Sequence, residues 1–306
     1  MIYDLIIIGA GPAGQTAAIY ASRARLAVLW LENRFVQGGQ AKDSALMDNY
    51  PGLPGISGEA LSEAFAAHAE KLGMTPVREK AVSITEAEGG LKKVCTKKAE
   101  YLSRTVIYAG GAVHRKLCIP GEEELSGAGV SYCATCDGAF FKDQDVAVVG
   151  GGNTACEEAL FLSGICRKVY LIHRRDTFRA DPILAEQTKK KDNIEILWNT
   201  VPEKICGTDA VEAVLLRSTK EEKEPFRLPV EGIFVAVGME PESAILKELV
   251  RIDESGYVVA GESCETDCPG IYAAGDVRTK PLRQVITAAA DGASAVASAC
   301  RFLRRS

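Results

Sequence analysis

The chain contains one pattern twice, in which an apolar strand leads through a glycine-rich turn into a helix. Residues 3–23 read YDLIIIGAGPAGQTAAIYASR, and residues 145–164 read DVAVVGGGNTACEEALFLSG. Glycines at the G-x-G-x-x-G spacing let backbone N–H groups approach a pyrophosphate at the positive end of the helix. The repeat predicts an α/β chain with two Rossmann-like dinucleotide-binding domains. The predicted contact positions are Gly9, Gly11, Pro12, Ala13 and Gly14 in the first unit, and Gly150, Gly152, Asn153, Thr154 and Ala155 in the second.

The residue that follows the second strand differs between the two units. The same 23-residue spacing from the first glycine leads to Glu32 in one unit and to His173 in the other. An acid at this position can bind a ribose hydroxyl. The second unit instead continues into guanidinium groups, Arg174, Arg175 and Arg179, which can bind a 2′-phosphate through charge-assisted hydrogen bonds. We interpret the first unit as an FAD site and the second as an NADPH site, with a solvated basic loop as the alternative for the arginines.

A third segment indicates how the two domains are arranged along the chain. GIYAAGDV, residues 270–277, is an apolar strand whose final Gly-Asp can bond the ribityl chain of a flavin, and a helix pattern follows from about Arg283 to Leu303. This segment lies near one end of the chain, whereas the first fingerprint lies at the other. If both serve one flavin, the NADPH-binding domain is inserted within a discontinuous FAD-binding domain. We predict an FAD-binding domain of residues 1–114 and 245–306, and an NADPH-binding domain of residues 115–244.

Composition excludes several other classes of protein. The 306 residues carry 36 Lys and Arg against 41 Asp and Glu, and this net charge of −5 argues against a nucleic-acid partner. No apolar run approaches the roughly 20 residues of a membrane helix. The apolar start of the chain carries Asp4 and runs into a glycine loop, so we interpret it as a strand rather than a signal peptide. We expect a cytoplasmic protein, and structural disulfides are rare in that reducing compartment.

Two of the ten cysteines stand in SYCATCDGAFF, residues 131–141. A C-x-x-C pair can bind zinc, form a structural disulfide or carry electrons. Zinc needs four ligands, usually from two pairs, and the pair Cys264 and Cys268 has a looser spacing. We expect no metal site and favour a redox disulfide, because it accepts two electrons, as NADPH and flavin deliver them. Asp137, directly after Cys136, can move protons, although a helix N-cap explains it equally well.

Together these motifs resemble the low-molecular-weight bacterial thioredoxin reductases. The resemblance covers essentially the whole chain and rests on GAGPAG, GGQ, DNYPG, RKLCIPGEE, CATC, HRRDTFR, GIYAAGDV and LRQVITAAADGA, in family order. CATC combined with HRRDTFR is specific, whereas glycine fingerprints occur in many flavoproteins. The resemblance implies a homodimeric NADPH-dependent thioredoxin-disulfide reductase. In such an enzyme electrons pass from NADPH to FAD, then to the Cys133–Cys136 disulfide, and then by dithiol–disulfide exchange to oxidised thioredoxin.

The resemblance also implies roles for single residues. Cys136 is expected to lie on the flavin, Cys133 to attack the disulfide of thioredoxin, and Asp137 to donate a proton. Phe140 and Phe141 match an aromatic pair that the family presents to thioredoxin, although core packing explains them equally well. The remaining residues at family positions for FAD are Gly39, Gln40, Asn49, Gly275, Asp276, Arg283, Gln284 and Val285.

One of the departures from the family bears on the FAD site, and two rival functions remain. Gly110 stands where the family usually has threonine, and we expect this to loosen a turn beside FAD. A thiol oxidase of the same fold would form disulfides and pass electrons to oxygen, but it would not need the arginines. A flavin-bearing redox sensor would bind nucleotides without steady-state consumption of NADPH.

Overall fold

The structure is a computed structural model that describes residues 1–33, 37–44, 47, 49–220 and 224–305. This part of the chain is a mixture of helices and strands, which confirms the predicted α/β class. The helices are α1 (Pro12–Arg23), α2 (Gly58–Lys71), α3 (Ala134–Asp137), α4 (Asn153–Ser163), α5 (Pro182–Lys189) and α6 (Val285–Leu303). The strands are β1 (Ile2–Ile8), β2 (Val28–Glu32), β3 (Val77–Arg78), β4 (Ala81–Glu86), β5 (Lys92–Thr96), β6 (Glu100–Tyr108), β7 (Ala112–His114), β8 (Val130–Ser131), β9 (Asp145–Gly150), β10 (Lys168–His173), β11 (Ile194–Trp198), β12 (Thr200–Cys206), β13 (Ala213–Ser218), β14 (Phe226–Pro229), β15 (Gly232–Ala236), β16 (Met239–Pro241) and β17 (Ile271–Ala273).

The chain forms two compact units. The first consists of Met1–Val113 together with Glu240–Ser306, and the second of His114–Met239. The chain therefore leaves the first unit, completes the second and returns. β7 and β16 contain the two crossings and pair with each other as a two-stranded sheet. Which dinucleotide each unit binds stays a prediction.

The first unit is built on a seven-stranded sheet of order β3-β2-β1-β6-β5-β4, with β17 also beside β6. The long strand β6 pairs with β5 along its first half and with β17 along its second half. Ile8, Tyr108 and Ala273, at the ends of β1, β6 and β17, are in parallel register. The fingerprint turn after β1 and the Gly-Asp pair after β17 consequently leave the sheet at the same carboxyl edge.

The first fingerprint strand divides its side chains between two cores. Leu5 and Ile7 face a cluster with α1 and α6, whereas Ile6 and Ile8 face a cluster on the other side of the sheet. All four are buried, because parallel strands covered on both faces carry continuous apolar runs rather than an alternating pattern. The apolar run LIII therefore marks a central strand.

The second unit repeats this plan around a five-stranded parallel sheet of order β11-β10-β9-β15-β8. Along β9, Val146 and Val148 face one core, and Ala147 and Val149 face the other. An antiparallel sheet of β12, β13 and β14 completes the unit. The fingerprint turn follows β9, and the CATC segment follows β8. Because the strands are parallel, both segments leave at the carboxyl edge, where α/β sheets bind their ligands.

Gly110 lies two residues beyond β6 and faces the ring of Tyr108. A β-carbon at Gly110 would lie 2.6–2.7 Å from the Tyr108 hydroxyl and ring carbons. The ring is buried, and its hydroxyl donates a hydrogen bond of 2.5 Å to the Glu242 carbonyl oxygen. The expectation of a looser turn is wrong, because Tyr108 fills the space that a threonine side chain would occupy.

We predict that Gly110→Thr destabilises the first unit by about 1–3 kcal/mol, the usual cost of overpacking a buried site. Removing the ring as well, in Tyr108→Val with Gly110→Thr, should relieve the clash, so the double variant should lose less stability than the sum of the single variants. Urea denaturation of all three variants measures this coupling. Strictly additive losses would show that the Tyr108 ring does not exclude the threonine.

Candidate active site

Cys133 and Cys136 form a disulfide where β8 passes into α3. Their Cα atoms are 5.3 Å apart, Cys133 has extended backbone, and α3 begins at the next residue, Ala134. Both cysteines are half-buried. The strand and the helix fix the two ends of this short segment. The disulfide between the two cysteines can accept two electrons.

Ser131, which the sequence analysis missed, holds Asp137 beside the disulfide. Its hydroxyl donates to Asp137 Oδ2 at 2.6 Å and accepts from the Cys133 backbone N–H at 3.1 Å. Burial raises the pKa of Asp137, and the hydrogen bond from Ser131 partly opposes that rise. Asp137 is the last residue of α3, and its side chain caps no helix, so the N-cap alternative does not account for it.

Glu158 is a second acidic residue that the sequence analysis missed. Its Oε1 atom accepts a hydrogen bond from the backbone N–H of Ala134, within the C-x-x-C segment, at 3.4 Å. Burial raises the pKa of Glu158 to about 7. The spacing of residues along the predicted helix could have indicated that Glu158 faces the protein interior. Glu158 stands three residues after Ala155 and four before Leu162, both fully buried, so it lies on the apolar face of α4.

The two phenylalanines after the motif differ in environment. Phe140 is 51% exposed. Phe141 packs edge-on against the buried Phe234 at 5.3 Å between ring centroids, and its ring lies over Gly232. Phe140 is therefore available to a partner, whereas Phe141 belongs to the core.

His173 lies beneath the second fingerprint turn. The residue is buried, and a β-carbon at Gly151 would lie 2.1 Å from its ring. Its Nε2 atom lies 3.0 Å from the Thr177 carbonyl oxygen, and burial lowers its pKa, which favours the neutral ring. The ring thus supports the turn from below, as well as standing at the predicted ribose position.

The three arginines follow β10 as an exposed group beside this turn. Arg174, Arg175 and Arg179 are all exposed, and the backbone N–H of Arg179 donates to the Gly151 carbonyl oxygen at 2.7 Å. Asn153, at the start of α4, exchanges two hydrogen bonds of 2.8 Å with Asp181. The fingerprint and the arginine segment are consequently tied together by backbone and side-chain bonds. Thr154 is exposed and Ala155 fully buried at the same end of α4.

The first fingerprint turn is also bonded to, or in contact with, segments from other parts of the chain. Glu32 Oε2 accepts a hydrogen bond of 2.6 Å from the backbone N–H of Ala10, within the turn. A β-carbon at Gly275 would lie 3.0 Å from the Ala13 methyl group, so the two distant motifs are in contact. A β-carbon at Gly39 would lie 3.2 Å from the Gly11 Cα atom. The turn, the GGQ loop and the Gly-Asp pair therefore lie against one another in the first unit, with glycines at their contacts.

Polar side chains from distant segments meet in the first unit. Asn49 donates to Gln284 Oε1 at 3.1 Å, and Gln40 donates to the Ala112 carbonyl oxygen. Gln284 also forms a capping box with Thr287 at the start of α6, which begins at Val285. The sequence separation of 235 residues between Asn49 and Gln284 shows how the two parts of the unit are joined.

Two buried polar atoms near β17 have no hydrogen-bond partner among the described residues. These atoms are Asp276 Oδ1 and Arg283 Nε. Burial raises the pKa of Asp276, and the guanidinium of Arg283 lies over the Tyr257 ring at 4.0 Å. Buried polar groups normally have partners. A flavin cofactor with hydroxyl and ring heteroatoms fits these two groups and the glycine-rich segments beside them.

Neither a metal site nor a membrane segment is found in the described part of the chain. No group of three or more His, Cys, Asp and Glu side chains there could hold a metal ion. No helix there is long and apolar enough to cross a membrane.

Comparison with known proteins agrees with this geometry. The model of the pyridine nucleotide-disulphide oxidoreductase family matches residues 3–292. A thioredoxin reductase of Listeria innocua is 45% identical over 99% of this chain and 94% of its own length. The chain belongs to this family, among the thioredoxin reductases.

Solved structures of the family share the same fold. The thioredoxin reductase of Streptococcus pyogenes has a TM-score of 0.92 and 41% identity, covering 100% of this chain and 99% of its own. The thioredoxin reductase of Giardia duodenalis has a TM-score of 0.91 and 34% identity, with 99% of each chain covered. Family membership therefore confirms the resemblance on which the sequence interpretation relied.

Replacing Ser131 by alanine should raise the pKa of Asp137 further. Burial would remain, and the hydrogen bond that stabilises the carboxylate would be lost. Infrared titration of the carboxyl band that disappears in Asp137→Asn measures the pKa. Ser131→Thr, which keeps the hydroxyl, is the control. An unchanged or lower pKa in Ser131→Ala would contradict the assignment.

Proposed function

We propose that this chain is an NADPH-dependent thioredoxin-disulfide reductase. The observation that carries the proposal is the Cys133–Cys136 disulfide at the same carboxyl edge as the second fingerprint turn. A nucleotide site and a two-electron acceptor thereby belong to one sheet. The names of relatives with 41–45% identity over 99% of the chain support the same activity.

NADPH is the proposed reductant, bound by the second unit. The turn from Gly150 to Ala155 offers backbone N–H groups to the diphosphate, and His173 supports the turn from below. Arg174, Arg175 and Arg179 are exposed beside it and bring three positive charges to the 2′-phosphate. A site with this charge favours NADPH over NADH.

FAD is the proposed cofactor of the first unit, where it would supply two-electron chemistry between a nicotinamide and a disulfide. The residues from Gly9 to Gly14 and Glu32 would hold its diphosphate and ribose. Asp276 and Arg283 would gain the hydrogen-bond partners that they lack among the described residues. Asn49 and Gln284 would fix the loops around the cofactor through their mutual bond.

The residues around the disulfide suit dithiol–disulfide exchange. After reduction, the Cys133 thiolate attacks the disulfide of thioredoxin, and a mixed disulfide forms while one thioredoxin thiolate leaves. Cys136 then attacks Cys133 Sγ, which restores the internal disulfide and releases reduced thioredoxin. The Cys133 Sγ atom lies 3.3 Å from the hydroxyl of the exposed Thr135, and its role as the attacking thiol is proposed from the family resemblance. Asp137, whose pKa burial raises, can supply and remove the protons.

The partner is proposed to be thioredoxin or a thioredoxin-like protein, with Phe140 as part of the contact. Family resemblance also supports a homodimer, the net charge of −5 argues against a nucleic-acid partner, and a cytoplasmic location stays a prediction. A thiol oxidase and a redox sensor remain the alternatives, and steady-state kinetics separate the three.

The deciding experiment is NADPH oxidation by the purified yellow protein, with and without oxidised thioredoxin. We expect sustained NADPH consumption only when thioredoxin is present, with one thioredoxin disulfide reduced per NADPH. Oxygen-dependent consumption without thioredoxin would identify a thiol oxidase. Binding of NADPH without turnover would identify a sensor. Cys136→Ser should retain thioredoxin as a mixed disulfide, whereas Cys133→Ser should not.

Loss of a single arginine, in Arg174→Ala or Arg175→Ala, should weaken NADPH binding by about 1.5–3 kcal/mol, because one charge-assisted bond is removed. NADH binding should change far less, because NADH has no 2′-phosphate. Fluorescence titration with both nucleotides measures the difference. Arg167→Ala is a matched control, because Arg167 is an exposed arginine of the same unit that pairs with Asp145 at 2.7 Å. Equal losses for NADPH and NADH would refute the assignment.

A further inference from the structure

Glu158 is a half-buried residue whose carboxyl group touches the redox segment without belonging to it. It comes from α4, the helix of the second fingerprint, and its Oε1 atom accepts from the Ala134 N–H at 3.4 Å. Ala134 is fully buried and lies between the two cysteines. The Oε2 atom is also buried and has no hydrogen-bond partner among the described residues. A buried oxygen without a partner needs an explanation, because such groups cost stability.

Burial has the largest effect on the pKa of Glu158 and raises it, and the charge of the exposed neighbour Glu157 raises it further. The hydrogen bond from the Ala134 N–H opposes this rise. The groups of α3 and its N-cap that titrate, or become titratable on reduction, are Asp137, Cys136 and Cys133. None of the described lysines or arginines forms an ion pair with Glu158. Burial thus raises the pKa of Glu158 towards the neutral range, to about 7.

We propose that Glu158 is a positioning residue of the redox centre that binds a proton when the Cys133–Cys136 disulfide is reduced. The proposal rests on the redox function proposed above. Reduction by a dithiol or by the NADPH-derived electron pair breaks the sulfur–sulfur bond, adds two electrons and yields two sulfur groups. One becomes a thiol with a proton, and the other remains a thiolate until it reacts. The new negative charge disfavours a carboxylate nearby, so Glu158 takes up a proton from solvent.

Two consequences of this arrangement can be measured separately. The Oε1 atom of Glu158 accepts the hydrogen bond from the Ala134 N–H and so holds the segment between the cysteines in one conformation, whatever the charge of Glu158. The charge of Glu158 couples the redox equilibrium to pH, because a carboxylate opposes thiolate formation and a neutral carboxyl does not. Glu158→Gln keeps the acceptor and removes the charge, whereas Glu158→Ala removes both.

The test is the disulfide equilibrium of the holoenzyme in dithiothreitol redox buffers, from about pH 6 to about pH 9. Acid quenching, alkylation and mass spectrometry of the peptide that contains Cys133 and Cys136 give the reduced fraction. The ratio of the equilibrium constants of wild type and Glu158→Gln cancels the titration of the reagent. We expect wild type to become about three- to tenfold harder to reduce, relative to Glu158→Gln, between the low and high ends of this range.

Controls distinguish the coupling from a general structural effect. Glu186→Gln, on the exposed face of α5 in the same unit, should match wild type at every pH. If the glutamine variant folds poorly, Glu158→Met, which is neutral and of similar size, replaces it as the uncharged reference in the redox equilibrium. Hydrogen exchange at Ala134 should stay slow in Glu158→Gln and become faster in Glu158→Ala. A wild-type to Glu158→Gln ratio that is constant with pH would overturn the proposal. The assay contains neither NADPH nor thioredoxin, so this result is independent of the proposed enzyme activity.

Discussion

The parallel register of β1, β6 and β17 is the constraint on which the first unit depends. Ile8, Tyr108 and Ala273 lie side by side although they come from the beginning, the middle and the far part of the chain. Residues far apart in sequence therefore reach the same edge of the sheet, and the Gly275 turn contacts Ala13. The strand pairing, rather than any local motif, brings segments from the two ends of the chain into contact.

The acidic residues with buried side-chain oxygens fall into two kinds, one paired with cations and one not. Asp291 accepts from Arg278 and Lys280 and from the Gly275 N–H, and the two cations lower its pKa despite burial. Asp276 and Glu158 have no comparable ion pair among the described residues, and burial raises the pKa of both. A buried acid that is fully paired serves the fold, and one that keeps an unpaired oxygen costs stability. Asp276 directly follows Gly275, and Glu158 contacts the segment between the two cysteines.

The sequence predicted those features that repeat or lie close together along the chain. Fingerprints, the C-x-x-C pair and the long final helix, expected at Arg283–Leu303 and found at Val285–Leu303, depend on local periodicity and spacing. Ser131 and Glu158 were missed because their roles come from contacts across the fold. The packing of Tyr108 on Gly110 was missed for another reason: a small residue in a turn does not reveal what fills the space beside it.

The contact between Tyr108 and Gly110 also restricts the order in which such a sequence can change. A chain with threonine at position 110 has no room for a tyrosine at position 108, because the side chains would overlap. Glycine at position 110 leaves the space that the Tyr108 ring occupies, and the ring bonds from there to the Glu242 carbonyl oxygen. The two positions are therefore coupled, and the effect of a substitution at one depends on the residue at the other.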